Sequence, residues 1–590
     1  MSWEAIIVIC TIIIMLICLM KEVARPDFIV FCALAFLMFT GILAPADALI
    51  GFSNEGMLTV GLLFIVAGAV QQSGVLNQLV YSALGKKEGS SSMIPRMMVP
   101  VSGLSAFLNN TPIVVMFTPV IKDWCKKHNV APSKFLIPLS YAAIFGGTLT
   151  LIGTSTNLII HGLMLDQDMA GFSMFQLTAV SLPACILGIL YLSTVGYKLL
   201  PVRKSSEESF TEHAKEYLAQ SRITEASPLI GKTIEEAGLR NLKGLYLIEV
   251  ISGTERIAPV PGYYQLKEKD RLIFTGLLST IVELHQVKGL RVETGTDIEL
   301  DELSNGRAVL NEVVIPSQSP LAYSTLKENQ FRSRFQAGVV AVHRAQSRIQ
   351  NKVGDIVLKP GDTLLLLSDR EFAEKHKESK LFYLMNTSDQ NELVPQKKSL
   401  IALYTLVGMI LLASTNVLSM FMSAMLAVIV LILTKTITLE GAKNYVHFNV
   451  LILIACSIGI GAALQQTGAA EFIATYLVSW TAGIGIIGTI AAVYILTNIF
   501  TEVITNNAAA VLMFPIALAS AGQVGIDPMG LFVTIAIAAS ASFITPIGYQ
   551  TNLIVYGPGG YKFTDYIKVG LPLTFMYMIV TVTMVHLIWV

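Results

Sequence analysis

Short clusters of asparagine, threonine and serine interrupt the apolar runs of this chain at points where a membrane helix should be uniformly apolar. The two most polar clusters are Asn109, Asn110 and Thr111, and, 396 residues later, Thr505, Asn506 and Asn507. Amide and hydroxyl groups, together with the free backbone groups of interrupted helices, can bind small cations and anions at membrane depth. The clusters therefore predict a binding site built from uncharged dipoles.

The clusters belong to a repeat that relates the two ends of the chain. Residues 152–157 return as 547–552 with an offset of 395, and residues 71–74 return as 465–468 with an offset of 394. A common offset between segments flanked by apolar runs predicts two homologous membrane halves. Because we predict five spans in each half, an odd number, the halves should be inverted repeats.

The composition is that of a polytopic membrane protein, since 53% of the 590 residues are hydrophobic and only 14% are charged. Residues 5–20 have no basic segment before them and no small-residue cleavage site after them, so we expect a retained first helix. The remaining predicted spans approach the ~20 residues that a bilayer core requires; they are 27–44, 56–74, 134–165, 174–199, 399–414, 417–436, 446–466, 528–555 and 569–589.

The distribution of basic residues predicts the orientation in the membrane. Of 41 Lys and Arg, 27 lie between 202 and 398, and the other 14 fall on one side if residues 109 and 505 are the tips of re-entrant hairpins. The predicted loops of the opposite side, 467–485 among them, contain no Lys or Arg. By the positive-inside rule the basic side is cytoplasmic in a plasma (bacterial inner) membrane, and both termini lie outside.

Hydropathy collapses between the halves, where a smaller repeat with an offset of 92 predicts two α+β modules. We expect short helical segments at 233–238 and 325–330, strands such as 245–251 and 338–342, and a closing strand after Asp270 and after Asp362. The predicted domains are a first membrane repeat at 1–201, modules at 202–296 and 297–398, and a second membrane repeat at 399–590.

Each half is expected to hold a re-entrant hairpin and a broken helix. In the first hairpin, Thr111 followed by Pro112 predicts an N-cap and a new helix, and Asn507 should start the matching helix. Glycines interrupt the spans 134–165 and 528–555, where we expect Asn157 and Asn552 to cap a second short piece. Such breaks expose carbonyls that can bind Na⁺ and helix N-termini that attract an anion.

Other interpretations of these residues remain open. Single polar residues in membrane helices often only join helices by hydrogen bonds, although four clusters in matching pairs favour a binding site. Glu502 could bind a cation or a proton, or could bond neighbouring backbone without meeting substrate. His161 could be a proton site, but a structural role is the more common one.

An enzyme has no residues to support it in this sequence. There is no Walker A motif, no zinc-protease helix and no nucleophile elbow, and the six cysteines are scattered without metal spacing. We therefore predict a transporter without catalytic residues. A regulated channel or a membrane-bound sensor is a second class, to which inverted hairpins give little support.

The paired clusters resemble the divalent-anion/sodium symporter (DASS) family, which has Ser-Asn-Thr at each hairpin tip and a Gly-Thr-Pro-like break. The resemblance implies a sodium-coupled importer of dicarboxylates, citrate or sulfate that works as a homodimer by an elevator movement. It implies that the anion lies between the two tips. The implied sodium ligands are Ser105, Asn109, Asn110 and Gly153 in one site, and Thr501, Ile504, Asn506 and Gly548 in the other.

This chain departs from the family pattern at several of these positions. Asn109 replaces the first Ser, and Thr154-Ser155 and Tyr549-Gln550 stand at the Thr-Pro breaks. The insert resembles paired C-terminal modules of RCK regulators (TrkA-C), which in this family accompany sulfate carriers. The resemblance thus favours sulfate, with dicarboxylate import or proton-coupled oxyanion export as alternatives. The resemblance also implies two partners, membrane lipid and a cytosolic small molecule that regulates the modules. It implies no nucleic-acid partner.

Overall fold

The computed structural model describes most of the chain, with gaps mainly in the insert. The residues outside the description are 1, 22, 73–92, 129, 204–217, 226, 240–244, 254, 258–259, 277–289, 294–307, 317–318, 345–346, 349–352, 370, 377–378, 380, 385–395 and 416. Ser73 and Gly74 of the long repeat, and the predicted module boundary at 296–297, lie outside the described residues.

The first half is helical and contains the two expected interruptions. Its helices before the hairpin are Trp3–Met20, Pro26–Phe39, the short Pro45–Ala48 and Glu55–Gln72. Met93–Ser105 and Asn110–Lys127 form the first hairpin, and Leu136–Gly147 and Ser155–Asp166 form the first broken helix. A long helix follows, Thr178–Tyr191, which continues with changed hydrogen bonding through Leu192–Gly196 and Tyr197–Leu199.

The second half repeats this order. Its first helices are Gln396–Ser414, Met420–Leu433, the short Leu439–Tyr445, Phe448–Gln466 and Ala469–Thr481. Ile486–Val503 and Asn506–Val524 form the second hairpin, Pro528–Ser540 and Gln550–Tyr556 form the second broken helix, and Phe563–Trp589 ends the chain.

The prediction of a loop over 467–485 is wrong, because Ala469–Thr481 is helical. Gly468 ends the preceding helix with a positive φ of 72°, a conformation that glycine adopts without strain. The new helix carries Glu471 in its first turn and exposes Tyr476 and Trp480, so its apolar residues do not form one continuous run. It therefore lacks the sequence signal of a full membrane span.

Within the described residues, five helices are long and apolar enough to cross a membrane: Thr178–Leu199, Phe448–Gln466, Ile486–Val503, Asn506–Val524 and Phe563–Trp589. Large apolar side chains on the outside of the helical part include Phe39, which is 90% exposed, and Trp480, which is 94% exposed. Exposed apolar surface of this kind is favourable in contact with lipid and unfavourable in contact with water.

The insert contains two five-stranded antiparallel sheets with the same strand order. The first is β3-β2-β4-β1-β5 and the second is β8-β7-β9-β6-β10. Their strands are β1 Leu218–Ile223, β2 Leu245–Ser252, β3 Glu255–Ile257, β4 Arg271–Gly276, β5 Leu290–Glu293, β6 Ala308–Val314, β7 Gly338–Arg344, β8 Ser347–Arg348, β9 Thr363–Asp369 and β10 Tyr383–Leu384. A bulge lies at Leu247/Glu249 in the first sheet and at Val339/Ala341 in the second, again 92 residues apart.

The helical segments predicted at 233–238 and 325–330 are turns, so this part of the prediction is wrong. The Thr-x-x-Glu pattern does form its reciprocal hydrogen bonds: the Thr233 N–H donates to Glu236, and the Glu236 N–H donates to the Thr233 hydroxyl. The capping box therefore stabilises a single turn in each module instead of opening a helix. In the second module a helix, Phe331–Phe335, begins only after that turn, and another short one spans Phe372–Lys375.

The two halves interlock at the hairpins and broken helices. Each hairpin packs on the broken helix of its own half. In addition, Gln550–Tyr556 packs on Leu136–Gly147 and on Asn110–Lys127, while Ser155–Asp166 packs on Asn506–Val524. We call the two hairpins and two broken helices together the core domain. The second piece of each broken helix thus contacts the hairpin of the other half.

The second module of the insert docks on this core domain. Lys122 of the first hairpin forms a salt bridge of 2.6 Å with Glu312 of β6. Val314 of the same strand is buried in the apolar core of the helical part. A Cβ built on Gly361 would lie 2.5 Å from Leu553 Cδ1, which shows how closely the loop before β9 approaches the second broken helix.

Candidate ion- and solute-binding site

The helices at the site begin slightly earlier than the sequence predicts. The helix of the first hairpin begins at Asn110 with Asn109 at its N-cap, so the predicted cap at Thr111 is wrong. Pro112 lies within the first turn, where its missing N–H is tolerated. In the second hairpin Thr505, not Asn507, is the boundary, since its hydroxyl accepts the N–H of Ala508 at 3.4 Å.

Asn157 and Asn552 do not cap the helices that follow them. Those helices begin at Ser155 and Gln550, with Thr154 and Tyr549 at their N-caps. The Asn157 amide instead donates to the carbonyls of Gly147 and Thr150, at 3.1 and 2.8 Å. Asn552 donates to the carbonyls of Ser542 and Thr545, at 3.0 and 3.1 Å. Both asparagines therefore bridge the two pieces of a broken helix, because free carbonyls at its break need donors.

An oxygen cluster lies at the tip of the first hairpin. Ser105 Oγ is 2.7 Å from Asn110 Oδ1 and 2.9 Å from the Ala143 carbonyl oxygen. In the same orientation Asn110 Oδ1 also faces the carbonyl oxygens of Ala143 and Gly153, at 3.1 and 3.3 Å. The Ser105 hydroxyl has only one proton for these acceptors. The cluster is satisfied either by a small cation between the oxygens or by turning the Asn110 amide so that its NH₂ group faces them.

A second oxygen cluster occupies the equivalent place in the second hairpin. Thr501 Oγ1 is 3.0 Å from Asn506 Oδ1 and 2.6 Å from the Ala539 carbonyl oxygen. Each of these residues lies 396 positions after its counterpart in the first cluster. The carbonyls of Ile504 and Gly548 make no hydrogen bond to this cluster among the described residues, so their predicted part in a sodium site stays a prediction.

The tips of the hairpins and the breaks of the opposite half are joined by hydrogen bonds. Asn507 Oδ1 accepts from the hydroxyls of Ser155 and Thr156, at 3.0 and 3.2 Å. Thr111 donates to Gln550 Oε1 at 3.0 Å. These contacts bring the predicted tip residues together around the crossing of the two breaks. The four interruptions therefore form one site, which both halves complete for each other.

A cavity of about 20 Å³ adjoins this site. Asn109, Thr154 and Ser155 line it on one side. Phe64 of Glu55–Gln72 and Leu406 of Gln396–Ser414 line it on the other. Such a volume holds about one water molecule. The site is thus nearly closed here, and the cavity lies between the core domain and two helices outside it.

Glu502 is the only charged residue in the stretches 105–111, 153–157, 501–507 and 545–552. Its two carboxylate oxygens accept the N–H groups of Ile544 and Thr545, both at 2.9 Å. The carboxylate thus satisfies donors at the second break, which matches the structural alternative for this residue. His161 is likewise held by backbone, since its Nδ1 accepts the N–H of Phe172 at 2.9 Å.

Sequence reasoning missed the backbone oxygens of Ala143 and Ala539, and the central position of Tyr549. Carbonyl oxygens leave no side-chain signal, but the repeat could have revealed them, because Ala143 and Ala539 are also 396 residues apart. Tyr549 stood out only as a departure from the family pattern. Its contacts could not be predicted, since they join segments from opposite ends of the chain.

Replacing Gly147 with alanine is expected to weaken cation binding at the first oxygen cluster by tenfold or more. A Cβ at this position would lie 2.7 Å from both Asn110 Oδ1 and Nδ2, so the amide must move away from Ser105. Gly103→Ala is the matched control, because a Cβ there meets nothing within 4 Å. The measurement is the sodium concentration that gives half-maximal uptake. Equal values for the two variants would contradict the assignment of Asn110 to a cation site.

Comparison with known proteins identifies a transporter family and several relatives. The family model described as citrate transporter (CitMHS) matches residues 13–536. A putative sulfur deprivation response regulator of Chlamydomonas reinhardtii is 33% identical over 576 residues, which cover 96% of this chain and 98% of the relative. An uncharacterized transporter of Synechocystis is 31% identical over 565 residues, covering 94% and 92%. A probable sodium/sulfate cotransporter of Chlamydomonas reinhardtii is 25% identical over an alignment of 786 positions, covering 98% and 88%.

Proposed function

The chain belongs to the citrate transporter family, and we propose that it is a sodium-coupled symporter that imports sulfate or a similar small divalent anion. The predictions of a transporter and of a non-enzyme are confirmed by this membership. The observation that supports sodium coupling is the matching pair of oxygen clusters, one around Ser105 and Asn110 and one around Thr501 and Asn506. Hydroxyl, amide and carbonyl oxygens are the ligands that hard cations prefer.

The proposed anion site lies between the two tips, Asn109, Asn110 and Thr111 on one side and Thr505, Asn506 and Asn507 on the other. No Lys or Arg occurs in the tips or breaks. A dianion held by neutral donors in a medium of low polarity is strongly unfavourable unless positive charge accompanies it. Sodium ions in the two clusters would supply that charge, so anion affinity should depend on sodium.

The relatives named as sodium/sulfate cotransporters favour sulfate. The description of the matching family favours citrate, and with it the dicarboxylates, as the second candidate. Neutral, short donors such as Ser155, Thr156 and Thr111 can bind the oxygens of either kind of anion. The preference for sulfate therefore rests on the names of the relatives.

Uptake of labelled sulfate into proteoliposomes is expected to require external Na⁺ and to fall to background when choline replaces it. Unlabelled sulfate should compete strongly, and succinate and citrate weakly. Empty liposomes provide the control. Uptake that is unchanged in choline would remove sodium coupling, and strong competition by citrate alone would favour the second candidate.

The topology and assembly of the protein are part of the same proposal. The insert and the basic loops face the cytoplasm, both termini lie outside, and a homodimer moves its core domains by an elevator mechanism. The segregation of basic residues and the cavity between the core domain and Glu55–Gln72 support this arrangement. Labelling of single cysteines introduced into the predicted outer loop 415–418 from the cytoplasmic side only would contradict the orientation.

The insert is proposed to be an RCK-like pair of modules that controls transport in response to a small cytosolic molecule. Its position between the halves and the docking of β6 on the first hairpin support a regulatory role. A version in which a short linker replaces 205–395 should transport with altered regulation. Identical transport and regulation in that version would contradict this role.

A further inference from the structure

Tyr549 lies at the centre of the site, although the position is absent from the proposed sodium and anion ligands. It occupies the N-cap of Gln550–Tyr556 and is buried, with 7% of its surface exposed. Its hydroxyl is hydrogen-bonded to the Asn110 amide and lies 3.4 Å from Thr154 Oγ1. One phenol oxygen of the second half therefore connects the first hairpin tip and the first break.

The equivalent residue of the first half is Thr154, 395 positions earlier. A threonine hydroxyl at that place is too short to reach the opposite tips, whereas the phenol spans the distance between the halves. The site thus has one long hydroxyl donor that its internal symmetry does not require. This asymmetry is a feature of the chain's own sequence, since the two breaks differ at this position.

The Asn110 amide connects this phenol to the first oxygen cluster. With Oδ1 toward Ser105, Ala143 and Gly153, the Nδ2 group donates to the Tyr549 oxygen. With the amide turned, Nδ2 faces the cluster and Oδ1 accepts the Tyr549 proton. The orientation of one amide therefore decides whether the phenol O–H donates its hydrogen bond to Asn110 or can donate it to another acceptor.

We propose that Tyr549 couples sodium binding to anion binding. A cation in the first cluster fixes Asn110 Oδ1 toward Ser105, which turns Nδ2 to the phenol oxygen and leaves the phenol O–H free of Asn110. The O–H group then donates a hydrogen bond to an oxygen of the dianion between the tips. Without the cation the amide turns and Asn110 Oδ1 accepts the hydrogen bond of the phenol, so the anion loses a donor. This inference rests on the proposed function and concerns the same site.

Thermodynamic linkage gives the size of the effect. If sodium raises anion affinity by a factor, the anion raises sodium affinity by the same factor, and such factors are commonly about 5–150. A hydrogen bond from a neutral donor to a charged acceptor accounts for roughly tenfold in affinity. Removing the phenol oxygen should therefore abolish most of the coupling without removing the oxygens that hold the cation.

The test compares Tyr549→Phe with the wild type in proteoliposomes, with the sulfate KM measured at limiting and saturating Na⁺. In the wild type, saturating Na⁺ should lower the sulfate KM severalfold or more. In Tyr549→Phe the KM at saturating Na⁺ should rise about tenfold, and its sodium dependence should largely disappear, while the maximal rate changes less. Tyr191→Phe is the matched control, because that hydroxyl donates to the Val569 carbonyl at 3.0 Å, away from the tips.

A second measurement separates coupling from a structural role. Sodium alone, without sulfate, should raise the thermal unfolding temperature of purified Tyr549→Phe as it does for the wild type, because both oxygen clusters remain. Loss of that stabilisation, or an unchanged sodium dependence of the sulfate KM, would overturn the inference and leave the proposed function standing. Sulfate uptake by the wild-type protein that does not depend on sodium would overturn both the inference and the proposed function.

Discussion

Replacing Glu312 with leucine, or Lys122 with methionine, is expected to destabilise the protein by about 3–5 kcal/mol, because each change leaves the other charge buried without this partner. The pair is 2.6 Å long, and its side chains are only 1% and 9% exposed. Glu312 Oε1 is buried and makes no hydrogen bond among the described residues, so the carboxylate depends on Lys122. The measurement is thermal unfolding of the purified protein in detergent.

The double variant Lys122→Met/Glu312→Leu should recover most of the lost stability, because replacing a whole buried ion pair with apolar side chains is often neutral or stabilising. The control is Glu371→Ala, which removes an exposed pair with Lys375 in the same module. Exposed pairs of this type contribute little to stability, because solvent screens them. Single variants that lose no more stability than the control would show that the second module is not docked through this pair.

The position of this pair defines what the insert can influence. Lys122 belongs to the hairpin whose other end carries Asn110, and Leu553 and Gly557, which approach the same module, follow the second break. The module therefore contacts the helices that form the site. A ligand that shifts the insert between two positions would act directly on the hairpin and broken helix, as a coupling between two sites requires.

The repeat in the sequence carried most of the prediction of the site. Because both halves keep polar residues at nearly the same offset, the tips and breaks could be located without a structure, and the predicted ligands Ser105 and Asn110, and Thr501 and Asn506, lie in contact. Helix registers were less predictable. Asn157 has the composition of an N-cap, but nearby free carbonyls compete for its amide and prevail.

Contacts between distant segments could not be predicted from local patterns. The sequence around Glu312 reads as a strand of a soluble module, and that around Lys122 as the basic end of a membrane helix. Only their packing buries both charges together. The prediction of helices at 233–238 and 325–330 failed because each capping box closes only a single turn, and the threonine that opens the turn forms an isolated β-bridge, Thr233–Gln265 or Thr325–Val357.

Glu502→Ala is expected to abolish most transport and to destabilise the second break, whereas Glu502→Gln should retain sodium-dependent uptake at reduced stability. Alanine leaves the N–H groups of Ile544 and Thr545 without their acceptor, and each such loss costs about 1–3 kcal/mol. Glutamine keeps one acceptor oxygen. The first half has Ala106 at the matching position, so the carboxylate serves the second break alone.

This pair of variants also decides between sodium and proton coupling. If Glu502 only holds the break, the pH dependence of uptake should be the same in Glu502→Gln and in the wild type, while Asn110→Ala and Asn506→Ala should abolish uptake. Glu440→Gln, a change at an exposed carboxylate, provides the control for a general effect of charge. A Glu502→Gln variant that folds normally but loses its response to a proton gradient would instead favour proton-coupled transport of an oxyanion. The hydrogen bonds from two backbone N–H groups to the carboxylate match a structural role for Glu502.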